Sequence, residues 1–298
     1  MTNISEIEIV NYKINVQQDF SLLFQICEKW DKINRGSKVI IDISGLSFLN
    51  PSDILILTQC IIYLLKKRPD ISLLIEDKNK RTSTYIDAIG LARFCQPNYK
   101  QPQNIEFITS QTAMPILCLE RSSLDEYVVL TLRYIGNFCP DKDLTILDLG
   151  IKESINNVYD HSQSSIGAFV FCQCFPKTKT IRVCVSDMGI GIPANVRIHT
   201  NMNMSDNDCI RWAIKGRNTT MTFPYNVGLG LANIVGFVES TNSRMKILSN
   251  RGCLHINGTT KHYQENNIQN FIGTLIEFDI KIDNLEDKRE DYIEDNVF

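Results

Sequence analysis

One stretch of this chain constrains its fold more than any other, a helical segment followed directly by two strands. Residues 144–159 place apolar side chains at helical spacing, whereas residues 167–175 and 180–187 have the composition and alternation of strands. The second strand ends in Asp187, and a Gly-x-Gly sequence at 228–230 opens a further helix. This order predicts an α/β unit in which helices pack on one face of a mixed sheet.

The long helix has two sides of different chemistry. Its apolar side consists of Leu147, Ile151, Ile155 and Val158. The other side carries Glu153 and Asn157, and a neutral amide oxygen suits Mg²⁺ when phosphates supply most of the negative charge. A carboxylate one turn earlier can orient or deprotonate a water molecule. A solvated helix face would show the same polar side, so these residues gain weight only from the motifs that follow.

The end of the second strand carries a candidate base-binding group. The carboxylate of Asp187 can accept a hydrogen bond from an exocyclic amine, which would distinguish adenine. Gly189 and Gly191 leave room for a flat base beside the backbone, and Gly228 and Gly230 precede a helix whose backbone N–H groups attract phosphate. Each motif alone is weak because ordinary turns contain the same residues. Their order and spacing together predict one nucleotide site.

The front of the chain alternates strands with helices. Short β-branched runs at 38–44 and 71–77 predict buried strands, and the segment between them predicts a helix. Asn50 can cap this helix and Pro51 suits its first turn. We therefore predict an α/β domain with a parallel or mixed sheet over residues 1–112. A second domain is predicted over residues 113–283, and an acidic C-terminal tail over residues 284–298.

Composition is typical of a globular protein of ordinary size. The 298 residues are 43% hydrophobic, which is enough for two domains with cores of their own. No apolar run reaches membrane-spanning length and the first residues do not resemble a signal peptide, so we predict a cytoplasmic protein that does not enter the membrane. The ten cysteines are expected to be reduced core residues. A net charge of -3 with both signs interspersed does not indicate nucleic acid binding.

The motifs of the second domain resemble the ATP-binding domain shared by histidine kinases, DNA gyrase, MutL and the heat-shock chaperone ATPases, the GHKL group. ESINN matches the N box of this group, DMGIGIP its first glycine box and GLGL its second. The resemblance implies a Bergerat-type α/β sandwich that binds ATP and Mg²⁺, with Asn157 as the Mg²⁺ ligand and Glu153 as the catalytic base. It also implies that the nucleotide contacts Asn157, His161, Asp187, Gly189, Gly191, Gly228, Leu229, Gly230 and Thr274.

A polar stretch between the two glycine boxes resembles the mobile lid of this group. Lys215, Arg217 and Thr219 are candidate donors to the phosphates, with Gly216 as a hinge. An ordinary surface loop would have the same composition.

The front domain is similar to STAS domains, the fold of anti-sigma-factor antagonists, in the run VIIDISGLSFLNPSDILILTQ. In that family a strand leads into a loop and a helix that carries a phosphorylatable serine, and Ser52 falls at the matching place. This chain has NPSD where the family tends to have Asp-Ser-Ser-Gly. Ser52 is therefore a candidate phosphoacceptor, although a serine in the first turn of a helix is also explained as a local backbone partner.

Three functions fit these observations. The first is an ATP-dependent regulatory protein that hydrolyses ATP or transfers its γ-phosphate to a protein partner or to its own STAS-like domain, as in the anti-sigma serine kinases that it resembles. The second is a histidine-kinase-like protein, although none of the four His residues lies on a helix ahead of the N box. The third is a module that binds ATP or ADP without turnover. The predicted helix at 124–138 is a candidate surface for a homodimer.

Overall fold

The N-terminal part of the chain contains a small parallel sheet. The computed structural model describes residues 11–16, 20–46, 48–78, 80–96, 112–215, 230–269 and 271–288. Within these ranges, β1 (Asn11–Asn15), β2 (Lys38–Asp42) and β3 (Ser72–Glu76) pair in that order, and both pairings are parallel. The predicted parallel sheet is confirmed for these strands. The sequence NIEFIT at 104–109 predicts a further strand, and it lies outside the described residues.

Helices follow the strands of this small sheet. They are α1 (Ser21–Glu28), α2 (Pro51–Lys67) and α3 (Lys80–Ile89). The start of α2 confirms the prediction, because Asn50 and Asp53 form a reciprocal capping box. In this box the Asp53 carboxylate accepts a hydrogen bond from the Asn50 backbone N–H at 2.9 Å. The polar residues around Pro51 thus fix where this largely apolar helix begins.

The described residues after 112 form a large sheet of seven strands. In spatial order these are β4 (Leu117–Leu119), β5 (Ala168–Phe175), β6 (Thr180–Asp187), β10 (Thr274–Lys281), β7 (Arg244–Ser249), β8 (Gly252–Asn257) and β9 (Thr260–Glu265). All pairings between these strands are antiparallel, so the prediction of a mixed sheet is wrong for this part. The hairpin of β8 and β9 was not predicted, because β9 is almost entirely polar and lacks apolar alternation.

Further helices belong to this second part. They are α4 (Leu124–Gly136), α5 (Thr145–Asn157), α6 (Gly191–Thr200), α7 (Asp206–Ala213) and α8 (Gly230–Ser240). The sequence did not predict α6 and α7, which occupy the region expected to be an irregular polar stretch. In α7 only Cys209 and Ile210 are buried, so its apolar periodicity is too short to be recognised. The hydroxyl of Ser205 caps this helix by accepting the Asp208 backbone N–H.

The large sheet is covered on both faces. Along β6, Val183 and Val185 belong to a core shared with α4, α5 and α8, whereas Cys184 belongs to a core shared with the N-terminal part. Helix α2 packs directly on β5 and β6 from that second side. The sheet therefore separates the α5 face from the α2 face.

The polar side of the last strand, β10, is largely shielded from solvent, contrary to its predicted exposure. In β10 apolar residues alternate with Glu277 and Asp279, a pattern that predicts a solvated face, but these two side chains are only 15% and 16% exposed. Asp279 pairs with Arg182 at 2.7 Å, and Arg182 also donates to the Asn50 side chain at 3.5 Å. The start of α2 therefore lies beside these charges and shields them from water.

The composition predicted reduced core cysteines and no membrane-spanning segment. All ten cysteines lie in the described ranges and are free, and most are buried as expected. Among the helices that the structure describes, none combines the length and the apolar character needed to cross a bilayer.

Candidate functional site

Three polar side chains lie in a row where the central strands of the large sheet end. Thr274 of β10 is the direct cross-strand neighbour of both Asp187 on β6 and Ser249 on β7. All three lie on the face covered by α5, because the residues two positions away on each strand belong to the core on that side. The hydroxyl oxygens of Thr274 and Ser249 are 2.9 Å apart, and Ser249 Oγ also accepts the Ile192 N–H at 2.8 Å.

Asp187 is a buried carboxyl group without a cationic partner among the described residues. Its Oδ1 accepts the backbone N–H of Gly189 at 2.7 Å. Burial raises the pKa of Asp187 to about 7, although backbone hydrogen bonds from Gly189 and Thr274 act in the opposite direction. A buried acid that titrates near neutral pH at the end of a strand is a candidate functional group.

Helix α5 contributes an amide and a second carboxyl group. Asn157 is the last residue of α5, and its Nδ2 is buried without a hydrogen-bond partner among the described residues. The fold therefore does not use this amide. Glu153 lies one turn earlier, where burial, with a smaller effect from the charge of Asp160, raises the pKa of its carboxyl group. A raised pKa suits a carboxylate that takes up and releases protons.

The α-helix changes to a π-helical turn after Asn157. This turn spans Val158–Ser162, whereas the sequence predicted regular helix as far as Tyr159. His161 in this turn is half-buried, and burial lowers its pKa, so its ring is neutral at neutral pH. Asp160 pairs with Arg121 at 2.9 Å. Single π-helical turns are frequent at functional sites.

Ser162 joins the helix side of the site to the strand side. Its carbonyl oxygen accepts the Ile190 N–H at 2.8 Å, and the carbonyl of His161 accepts the Asn195 side chain at 3.0 Å. A Cβ placed on Gly189 would lie only 1.9 Å from the Ser162 oxygen. The end of α5 and the turn after β6 are therefore fixed against each other.

The packing of the chain itself accounts for the glycines after Asp187. Gly189 is needed for the close approach of Ser162. Gly191 has φ of 80°, and a Cβ there would lie 2.1 Å from the side-chain oxygen of Asn250. Packing thus explains these two glycines without the flat base that their sequence pattern predicted beside them.

Much of the predicted phosphate side lies outside the described residues. This applies to Gly216, Arg217, Thr219, Gly228 and Leu229. Lys215 is described and exposed, two residues beyond α7. Gly230 is the first residue of α8, and this helix packs against α5.

Ser52 is separated from the other predicted site residues. It lies in the first turn of α2 and is only 8% exposed. Because α2 and α5 cover opposite faces of the large sheet, the sheet lies between Ser52 and Asn157. The structure therefore does not bring the candidate phosphoacceptor to the cluster around Asp187.

Two residues of this cluster were not predicted. Ser249 and Asn250 lie at the end of β7, where the Ser-Asn-Arg-Gly sequence leads into a turn. That turn composition is recognisable in the sequence, but only the strand order places Ser249 beside Thr274.

No model of a known protein family matches this chain, and no curated protein sequence matches it either. Within the described ranges, no group of three or more His, Cys, Asp or Glu residues could hold a metal ion.

Proposed function

We propose that residues 113–283 form a GHKL-type ATP-binding domain that uses Mg-ATP to regulate or modify a protein partner, and that residues 1–112 form a STAS-like domain coupled to it. The observation that carries this proposal is that Asp187 and Asn157, on elements that contact each other, both lack a side-chain partner among the described residues. One is a buried carboxyl group at a strand end, the other a buried amide at a helix end. The contacts of Ser162 fix their two elements together.

The chemistry of these groups fits the nucleotide. The amide oxygen of Asn157 would bind Mg²⁺, a hard cation that prefers oxygen ligands. The carboxylate of Asp187 would accept a hydrogen bond from the exocyclic amine of adenine. Mg-ATP supplies the transferable phosphoryl group when it is bound. The hydroxyl of Thr274 lies in the same row and is held there by the fully buried hydroxyl of Ser249.

Glu153 supports turnover rather than binding alone. It is half-buried on the same side of α5 as Asn157, one turn earlier, and the raised pKa of its carboxyl group suits a proton acceptor. A domain that only binds nucleotide has no need of such a group. The proposed activity is therefore ATP hydrolysis or transfer of the γ-phosphate to a protein.

The position of Ser52 bears on where the phosphate goes. Ser52 is buried on the α2 face of the large sheet, whereas Glu153 and Asn157 lie on α5 at the other face. This arrangement favours water or a residue of another protein as the acceptor over Ser52 of the same chain. Phosphorylation of Ser52 would require α2 to leave the sheet.

Calorimetric titration of the full chain with ATP, ADP and GTP, each with and without Mg²⁺, tests this proposal. We expect ATP to bind in preference to GTP, and Mg²⁺ to strengthen the binding. Asn157→Ala should weaken Mg-ATP binding at least ~10-fold, which corresponds to about 1.4 kcal/mol. The matched control is Asn156→Ala, one position away on the same helix, which should leave the affinity unchanged. Equal affinity in both variants would remove the assignment of Asn157.

A further inference from the structure

A cavity of about 300 Å³ lies between the start of α2 and strands β7, β8 and β9. It is on the α2 face of the large sheet, so the sheet separates it from the site around Asp187. Small-molecule sites range from roughly 300 to 1,000 Å³ and are frequent where two packed units meet. Nothing in the proposed nucleotide function uses this cavity.

Two charged side chains line the cavity, Lys246 from β7 and Asp53 from α2. The side chain of Lys246 is half-buried, and its ammonium group has no hydrogen bond or ion pair with any described residue. Asp53 accepts two hydrogen bonds from Asn50, but no cation of the described chain lies within ion-pair distance of its carboxylate. Burial, with a contribution from Glu277, raises the pKa of Asp53. Lys246 and Asp53 act on each other only through space, and Glu277 is the cross-strand neighbour of Lys246, but neither charge forms an ion pair with a described residue.

Neutral polar groups complete the lining. His255 Nε2 lies 3.2 Å from Cys253 Sγ and 3.2 Å from Gln264 Nε2. Burial, followed by the charge of Lys246, lowers the pKa of His255, so its ring is uncharged at neutral pH. The Ser52 hydroxyl also lines the cavity and has no hydrogen bond to a described residue. Both donors and acceptors are therefore available around the two charges.

We propose that this cavity binds a small zwitterion of amino-acid size, whose carboxylate pairs with Lys246 and whose ammonium group pairs with Asp53. A ligand that carried only negative charge would meet Asp53 and its neighbour Glu277. A ligand that carried only positive charge would meet Lys246. A dipolar molecule supplies a counterion to each side chain, and it replaces the hydration that both lose by burial.

The first test is a thermal-shift screen of the full chain against the standard L-amino acids, each at millimolar concentration, followed by calorimetry of those that stabilise it. A ligand that touches both α2 and the sheet stabilises their contact, so we expect at least one amino acid to raise Tm by ~2 °C or more in a saturable way. The N-acetyl derivative of that amino acid lacks the ammonium group, and the corresponding amine lacks the carboxylate. Both should bind at least ~10-fold more weakly.

Matched variants locate the binding. Lys246→Met should weaken it at least ~10-fold, and it should leave the fold intact because the Lys246 side chain makes no hydrogen bond to the described chain. Asp53→Asn is a second variant, measured against its own Tm because Asp53 also caps α2. Lys281→Met changes an exposed lysine on the same face of the sheet and should have no effect. Asn157→Ala should also leave the binding intact, which separates this site from the nucleotide site.

Three results would overturn the proposal. One is the absence of binding by every amino acid, and another is binding that survives both Lys246→Met and Asp53→Asn. The third is equal affinity for the N-acetyl derivative, which would show that the ligand is not recognised as a zwitterion.

Discussion

The hydroxyl of Ser186 donates a hydrogen bond to the side-chain oxygen of Gln59 at 2.7 Å, across the contact between α2 and the large sheet. Both residues are buried. Ser186 precedes Asp187 on β6, and its hydroxyl also lies 3.0 Å from the carbonyl oxygen of Thr274. The N-terminal part of the chain is thus attached to the sheet one residue away from the proposed adenine-binding acid.

Substitutions of this pair should have unequal effects on stability. Ser186→Ala leaves a buried Gln59 amide without any partner, because its Nε2 already has none among the described residues. We expect this change to lower the free energy of unfolding by about 1–3 kcal/mol. Gln59→Leu removes the amide and leaves the Ser186 hydroxyl with the Thr274 carbonyl, so we expect a change of less than ~1 kcal/mol. Urea denaturation of both variants and of the double variant measures these changes in the free energy of unfolding. A larger loss in Gln59→Leu than in Ser186→Ala would contradict the prediction.

A methyl group at residue 189 should disrupt the join between α5 and β6. In Gly189→Ala the new Cβ would lie 1.9 Å from the backbone oxygen of Ser162, which cannot move without shifting the end of the helix. We expect a loss of about 3 kcal/mol in the free energy of unfolding. The matched control is Gly150→Ala within α5, where a Cβ meets nothing within 4 Å outside its own helix. There the higher helix propensity of alanine should raise the free energy of unfolding by as much as ~1 kcal/mol. Equal stability of the two variants would contradict the tight contact.

The titration of Asp187 should make stability depend on pH. Burial raises the pKa of Asp187 from its ordinary value of 3.8 to about 7, so between these values the folded chain holds a proton that the unfolded chain has released. The contribution of the Asp187 carboxyl group to the free energy of unfolding is complete below about pH 4. It is lost as the pH rises towards 7, with a slope of about 1.4 kcal/mol per pH unit. Asp187→Asn cannot titrate, so the stability of wild type relative to this variant should fall over that range and then stay level. Urea denaturation from pH 4 to pH 8 measures it, and a constant difference between the two proteins would show that the carboxyl group is ionised throughout.

Removal of the Glu153 carboxylate should separate turnover from binding. We expect Glu153→Gln to slow phosphate release from ATP by roughly 10²-fold or more, with little change in calorimetric ATP affinity. In the wild type the rate should fall on the acidic side, because a base with a raised pKa becomes protonated there first. Glu126→Gln, in the first turn of α4, is the control and should keep the full rate. An unchanged rate in Glu153→Gln would show that another residue is the base. Loss of ATP binding in this variant would show that Glu153 positions the nucleotide.

Local features of this fold could be predicted from the sequence, whereas pairings between distant segments could not. The start of α2 is fixed by Asn50 and Asp53, three residues apart, and this pattern is visible in the sequence. The strand β10 shows its alternation within eight residues. In contrast, the strand β9 is almost entirely polar and only two residues of α7 are buried, so neither element has an apolar pattern that the sequence could show.

The same distinction applies to the candidate site. Asp187 and Thr274 could be proposed because strand ends and glycine motifs mark them. Ser249 became part of the site only through the order of strands, which places β10 between β6 and β7. The hydrogen bond between Gln59 and Ser186 depends on how α2 docks against the large sheet, and it joins residues more than a hundred positions apart. No periodicity or sequence motif indicates a contact between segments so far apart in the chain.

The α2 face of the large sheet carries Phe169, Phe171 and Leu275, which are buried in the core shared with the N-terminal part. Because both parts belong to one chain, α2 is held beside these residues at an effective concentration in the millimolar range, on the order of that for short linkers. A free protein that recognised the same apolar surface would compete against this tethered helix and would lose at ordinary cellular abundance. Proteolytic cleavage between the two parts would end that advantage, and the face would become an open hydrophobic patch once the two fragments separated.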